Sequence, residues 1–248
     1  MISAHIATAL ADAWALVAPV DCAGCGAPDR ALCALCATAL RPSLRRALLD
    51  VDGHALPVVA GLAYEGVARA ALLALKAEGR TELARPLAVP LRRAVALAWP
   101  GAGADVLVPV PGSRAGAAQR GFAPAALLAR RGGLVVTRGL RALDGGPQQK
   151  RLRLDERLAG QHPRFIARPA LAGRRVVLID DIVTSGATLR DAARALRTVG
   201  AIVVGAAAVA ATPRRQGVSS LLWRFWADDD EGPGDKVGPE GYGQGKEA

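Results

Sequence analysis

A chain of 248 residues, 51% of them apolar, is long enough for one α/β domain with its own core and a small appendage. Three Phe, two Tyr and four Trp leave Val, Leu and Ile to fill that core, and exclude a surface rich in aromatic platforms for stacking bases. The formal charge is +10, but residues 227–248 carry a net −5, so the first 226 hold +15. Such a body attracts phosphorylated metabolites or nucleic acid, although arginines spread over solvated faces would give the same total.

Ile2, Ile6, Leu10, Trp14 and Val17 recur at helical spacing, so residues 1–20 are expected to form an amphipathic helix. Asp12 interrupts this apolar stretch and no basic segment precedes it, which argues against a secretory signal and for a cytoplasmic location. Residues 21–50 hold all four cysteines, then a basic stretch from Arg41 to Arg46. Residues 51–226 are expected to form one domain, and from about Val58 to Ala211 strand and helix signals alternate, the pattern of an α/β domain with a mainly parallel sheet flanked by helices. Val58–Tyr64 reads as a strand, Ala68–Lys76 as a helix and Glu82–Ala98 as a second helix ending at Pro100. Asp105–Pro109 is a short buried strand, followed by a Pro-Gly-Ser turn and a helix around Pro124–Arg131. Leu134–Thr137 reads as another strand. Arg175–Asp180 is an apolar strand ending in two acids, Thr188–Val199 a helix and Ile202–Ala210 a further strand. The apolar run from Ile202 to Ala211 is too short to span a bilayer. Residues 227–248 are rich in Asp, Gly and Pro without apolar periodicity, so a disordered acidic tail is expected.

The segment from Arg174 to Thr188 carries the most chemistry. A buried strand delivers Asp180 and Asp181 to its C-terminal end, where open α/β sheets bind ligands. A loop of small and hydroxyl residues, Thr184-Ser185-Gly186-Ala187-Thr188, then enters a helix. Its amides, the three hydroxyls and the positive helix end suit a phosphate dianion. Gly186 lets the backbone turn tightly and approach the phosphate. The two carboxylates can accept hydrogen bonds from a ribose diol. A bare acidic turn before a capped helix would not need two adjacent acids ending a buried strand. The segment resembles the ribose-5-phosphate signature of type I phosphoribosyltransferases. That resemblance implies 5-phosphoribosyl-1-pyrophosphate (PRPP), or a close phosphoribosyl relative, as ligand.

A second loop follows a strand end at Val108-Pro-Val-Pro-Gly-Ser-Arg114. Amides at Gly112 and Ser113, with Arg114 nearby, could receive a doubly charged leaving group, whereas the plain alternative is an ordinary Pro-Gly turn. Its place resembles the pyrophosphate loop of the type I enzymes. Tyr64-Glu65-Gly66 with Lys76 downstream, Arg120-Gly121-Phe122, and Gln149-x-x-Leu152 followed by Glu156-Arg157 resemble the ComF, or competence-type, phosphoribosyltransferase-like proteins. With the cysteines, the similarity runs from about residue 20 to 212. It implies the type I phosphoribosyltransferase fold, and Mg²⁺ bridging pyrophosphate and ribose hydroxyls. Arg120, Lys150 and Arg157, together with Arg114, become candidates to neutralise the leaving group. It also implies a role in DNA uptake and natural transformation, with single-stranded DNA or competence proteins as partners. An oligomer is compatible with it. Ala123 replaces the usual Asn after Arg-Gly-Phe, and Lys150-Arg151 stand where many members carry Thr-Gly, so the acceptor is left unspecified. Oxopurine-salvage relatives usually carry Asp at the position of Thr184, which disfavours purine salvage.

Cys22-x-x-Cys25 and Cys33-x-x-Cys36 use every cysteine in the chain. Two such knuckles across a short Gly/Pro/Asp loop can close a tetrahedral thiolate site around a structural Zn²⁺, with no open position for catalysis. Two disulfides or a redox pair are the alternatives, and a cytosolic chain without thioredoxin-like context favours zinc.

Overall fold

The computed structural model describes residues 20–99, 106–143, 164–213 and 223–227. The most apolar segments form the inner strands of a six-stranded sheet. In chain order its strands are β1 (Arg45–Val51), β2 (His54–Ala63), β3 (Val106–Pro109), β6 (Arg175–Val183), β7 (Ile202–Ala211) and β8 (Trp223–Ala227). They lie side by side as β3-β6-β7-β2-β1-β8. The β3/β6, β6/β7 and β7/β2 pairs are parallel, and β1 runs antiparallel to both β2 and β8. Strands β6 and β7 are covered on both faces, which is why they read as continuous apolar runs and not as alternating ones.

Helices α2 (Gly66–Ala77), α3 (Ala84–Ala98) and α5 (Pro124–Arg131) cover one face. Leu72, Leu75, Leu87, Leu91 and Leu128, all fully buried, pack there on Val177 and Ile179 of β6. Helix α6 (Ala187–Thr198) covers the other face, with Leu189, Ala192, Ala193 and Leu196 packed against Val176 and Leu178. A two-stranded antiparallel ribbon of β4 (Leu140–Ala142) and β5 (Phe165–Ala167) joins that second layer.

Strands β1 and β2 form a hairpin that straddles the division expected at residue 50/51. Val51 pairs with His54, so the turn has two residues, and both Asp52 (φ 55°) and Gly53 (φ 81°) are left-handed, the type I′ geometry. Three arginines of α6 hold the hairpin. Arg190 Nε donates to Asp50 O at 3.0 Å, Arg197 Nη1 to Val51 O at 2.9 Å, and Arg194 Nε lies 3.0 Å from both Asp52 carboxylate oxygens. Hydrogen bonding from Arg194 holds the Asp52 carboxyl below the usual carboxylate range.

Two expectations are corrected. Leu134–Thr137 is not a strand: it runs beside the short edge strand β3 with a single backbone bond, Thr137 N–H to Leu107 O at 2.8 Å, while Val135 stays 90% exposed. A short helix, α4 (Arg114–Arg120), occupies a region read only as a turn. The expected helix over 1–20 falls, but for Val20, outside the described residues, as does the tail from 228 onward. Among the described residues no helix is long and apolar enough to cross a membrane.

Candidate functional site

The C-terminal edge of the parallel strands is where the sheet's backbone ladder continues into the loops. Val110 N–H donates to Ile179 O at 2.8 Å, Thr212 N–H to Val183 O at 2.9 Å, and Tyr64 N–H to Ala211 O at 2.7 Å. These bonds fix the residues after β2, β3 and β7 around the end of β6, where Asp180 and Asp181 stand. Asp181 is 7% exposed and points toward α2, where Lys76 Nζ meets its Oδ2 at 2.8 Å. Its Oδ1 accepts the Ile182 N–H at 2.8 Å, and Asp180 Oδ1 accepts the Asp181 N–H at the same distance. Burial, and then the charge of Asp181, push the Asp180 carboxyl well above the ordinary carboxylate range. Among the described residues the dyad thus holds one carboxylate with its counter-ion and one without.

Beyond β6 the chain bends through Thr184, Ser185 and Gly186 and enters α6 at Ala187. Gly186, at φ 73°, is the residue before the helix, a conformation that strains any side chain with a Cβ. Thr184 and Ser185 are exposed, and Ala187 and Thr188 half-buried. Ser185 Oγ accepts the Ala187 N–H at 3.4 Å. The hydroxyls of Thr184 and Ser185, the helix end and the two carboxylates therefore sit on one short stretch of chain.

The second loop lies one strand over, after β3. Ser113 caps α4, its Oγ accepting the Gly116 N–H at 3.2 Å. Arg120, at the far end of that helix, folds back over this turn. Its Nη2 lies 2.8 Å from where a Cβ on Gly116 would stand, and 3.5 Å from the same position on Gly112, so the absent side chains leave room for the guanidinium. Arg120 Nε is buried without a hydrogen-bond partner among the described residues. Three residues so spaced in sequence, Gly112, Ser113 and Arg120, come together only because of the helix that sequence reading missed. Lys150 and Arg157, and the side chain of Arg114, lie outside what the structure describes.

Two residues at this edge were missed as site residues. Lys76 was noted only as part of a family pattern; its role follows from α2 crossing the end of β6, which spacing along the chain does not reveal. Thr212 carries a buried hydroxyl with no partner among the described residues, at the end of β7.

The four cysteines gather as a separate unit, with their sulfurs all within 4.8 Å of one another and no disulfide among them. Cys25 Sγ and Cys33 Sγ are 3.7 Å apart, close to the roughly 3.8 Å edge of a tetrahedron with Zn–S bonds of about 2.3 Å. Cys33 N–H donates to Cys22 Sγ at 3.3 Å and Cys36 N–H to Cys33 Sγ at 3.4 Å, hydrogen bonds that favour thiolate sulfur. Burial opposes the charge on Cys22, but amides of Cys33, Cys25 and Gly24 outweigh it and bring the thiol down to about 6. Burial pushes Cys36 up to about 12. A donor set of four thiols with amides already directed at two of them fits a tetrahedral zinc ion. Arg80 ties the unit to the main domain, its Nη2 donating to Asp21 O at 2.9 Å and Ala31 O at 3.4 Å.

Residues 115–237, from α4 through the Asp180 loop to beyond β8, match the phosphoribosyl transferase domain family. A 35-residue stretch is 60% identical to an orotate phosphoribosyltransferase of Nocardioides sp., covering 14% of this chain and 20% of that protein. A 39-residue stretch is 56% identical to an adenine phosphoribosyltransferase of Mycobacterium avium, covering 16% of this chain and 22% of that protein. The chain thus matches about a fifth of the length of these curated relatives. Among solved structures, the allosteric regulatory enzyme of purine biosynthesis aligns with 58% of this chain and 26% of its own, at 22% identity and a TM-score of 0.31. The α/β body has a mainly parallel sheet, its part from residue 115 onward lies in the stretch similar to the phosphoribosyl transferase domain family, and a four-cysteine module able to hold zinc precedes it.

Proposed function

We propose that this protein binds PRPP at the Asp180 loop and transfers its phosphoribosyl group to an acceptor. The observation that carries the reading is the junction of β6 and α6. A half-compensated carboxylate pair and a hydroxyl-lined turn into a helix sit there within nine residues. Loop amides with Thr184, Ser185 and Thr188 would hold the 5-phosphate. Asp180 and Asp181 would accept hydrogen bonds from the ribose 2- and 3-hydroxyls. Gly112, Ser113 and Arg120 would receive the pyrophosphate, with Arg114, Lys150 and Arg157 as further cations. In the reaction the bond from the anomeric carbon to pyrophosphate breaks and a bond to the acceptor's nucleophilic atom forms. Positive charge develops on the ring, so the protein's work is to orient the ribose and to disperse the charge of the departing group. Mg²⁺, a hard cation suited to carboxylate and phosphate oxygens, would add charge neutralisation when bound with PRPP. Asp180, the carboxylate without a counter-ion, is the residue such a cation would relieve. Zinc on Cys22, Cys25, Cys33 and Cys36 would be structural.

Calorimetric titration of the full chain with PRPP and Mg²⁺ tests this, alongside the Asp180→Asn, Asp181→Asn double variant. Saturable binding lost in the variant supports the assignment and opens a screen of acceptors by pyrophosphate release. Undiminished affinity in the variant refutes it. The +15 body favours a second reading, a cytoplasmic PRPP-sensing or single-strand-handling accessory of DNA uptake, in line with the ComF resemblance. It requires DNA affinity that falls steeply with salt.

A further inference from the structure

A cavity of about 780 Å³ opens on the outer side of the edge strand β3, between α4, α5 and the β4–β5 ribbon. None of residues 180–188 lines it, nor do Gly112 and Ser113. Its floor is apolar: Val110, 4% exposed, with Phe122, Leu140 and Ile166. Four arginines from four places in the chain enter its wall: Arg130 on α5, Arg138 before β4, Arg141 on β4 and Arg168 after β5. All four are exposed, and no acidic residue among the described residues lines the cavity. Arg130 Nε donates to Ala126 O at 3.2 Å, and none of the four makes an ion pair among the described residues.

Solvated arginines on an open face need no explanation. Here, however, guanidiniums without an ion-pair partner among the described residues converge on a concave apolar surface, where low-dielectric walls concentrate their field on whatever enters. The volume falls within the range of small-molecule sites, which are mainly apolar with a few charged groups fixing orientation. Guanidinium groups match phosphate oxygens in pairs and stack on flat rings. Phe122 and Ile166 offer the surface for a ring, and Arg138, Arg141 and Arg168 the partners for phosphates. We propose that this cavity is a second ligand site, distinct from the phosphoribosyl loop, for a nucleoside phosphate. Val110 joins the two sites, since it lines the cavity while its N–H is bound to Ile179, the residue before Asp180.

The test is calorimetric titration of ADP into the full chain, the Asp180→Asn, Asp181→Asn variant and an Arg138→Ala, Arg141→Ala variant, with pyrophosphate as a ringless control. The site predicts saturable 1:1 binding of ADP, unchanged in the carboxylate variant and weakened at least tenfold in the arginine variant. Both arginines are exposed, so the urea midpoint of that variant should match the parent. Pyrophosphate binding that is lost in the arginine variant should be at least tenfold weaker than that of ADP. No saturable ADP binding by the parent protein overturns the proposal. So does ADP binding that survives loss of the arginines, or arginine-dependent pyrophosphate binding as tight as that of ADP. The arginine variant keeps PRPP binding at the loop, so failure here leaves the phosphoribosyl assignment standing.

Discussion

Replacing Lys76 with Met removes the ammonium 2.8 Å from Asp181 Oδ2 and keeps the side chain's apolar length. The pair is unevenly wet: the lysine side chain is 31% exposed, the aspartate 10%. Coulomb attraction at such a distance is several kcal/mol at an effective dielectric of about 20, and desolvation of both ions offsets much of it. Net values for hydrogen bonds to charged groups run about 1.5–3 kcal/mol, and water at the lysine end places this pair at the lower end, about 1.5–2 kcal/mol. A double-mutant cycle of Lys76→Met, Asp181→Asn and both together, followed by urea unfolding, isolates that coupling. Lys76→Met alone should be the costliest of the three, because it strands the Asp181 charge beside Asp180, whose carboxyl already resists ionisation. Combined with Asp181→Asn it should cost far less. If the two single effects add within about 0.5 kcal/mol, the ion pair does not balance the site's charge and the account of the dyad is wrong.

Asp180→Asn should stabilise the protein while removing PRPP binding. Burial and the Asp181 charge raise the folded-state pKa of Asp180 above its unfolded value. Ionisation therefore costs the folded state nothing below about pH 4, and the cost grows as pH rises toward the folded value. The variant's urea midpoint should exceed the parent's at pH 7–8 and converge with it near pH 4; equal midpoints at both would contradict the burial argument. For the cysteine module, elemental analysis of purified protein should find about one zinc per chain, and close to none after Cys22→Ser with Cys36→Ser. The same variant should unfold at lower urea. Full zinc content in it would place the metal elsewhere.

The parts of this fold legible in sequence are those where one physical pattern dominates. Arg175–Asp180 and Ile202–Ala210 are apolar on both faces, and they are the inner strands β6 and β7. Pro124–Arg131 starts at a proline and ends before a glycine, and the helix has those bounds. The β1 strand was hidden because Arg45 and Arg46 open it and a basic stretch looks like surface. Its alternation of Ala47, Leu49 and Val51 was present all along, and all three are buried. The missed helix α4 has no apolar stripe, being Arg-Ala-Gly-Ala-Ala-Gln-Arg, so periodicity could not mark it. Within the site, Asp180 to Thr188 could be read because they are contiguous. Lys76, Thr212 and the return of Arg120 over Gly116 depend on chain crossings, and local pattern carries no record of those.

Helix α2 links the two chemistries of the molecule. On one side it bears the cysteine module: Leu40, just after helix α1 (Ala34–Ala39), shares a buried cluster with Ala68, Ala71, Leu72 and Leu75 of α2. At its C-terminal end α2 presents Lys76 to Asp181, and four residues on, Arg80 reaches back to the carbonyls of Asp21 and Ala31. A helix tied near its C-terminal end to Asp181 on one side and to Asp21 and Ala31 on the other cannot shift without disturbing both. The module's packing therefore helps set where the Lys76 ammonium stands, and with it which of the two carboxylates carries a counter-ion. The four-cysteine module has, on this argument, a positional role at the Asp180–Asp181 edge without contributing a residue to it.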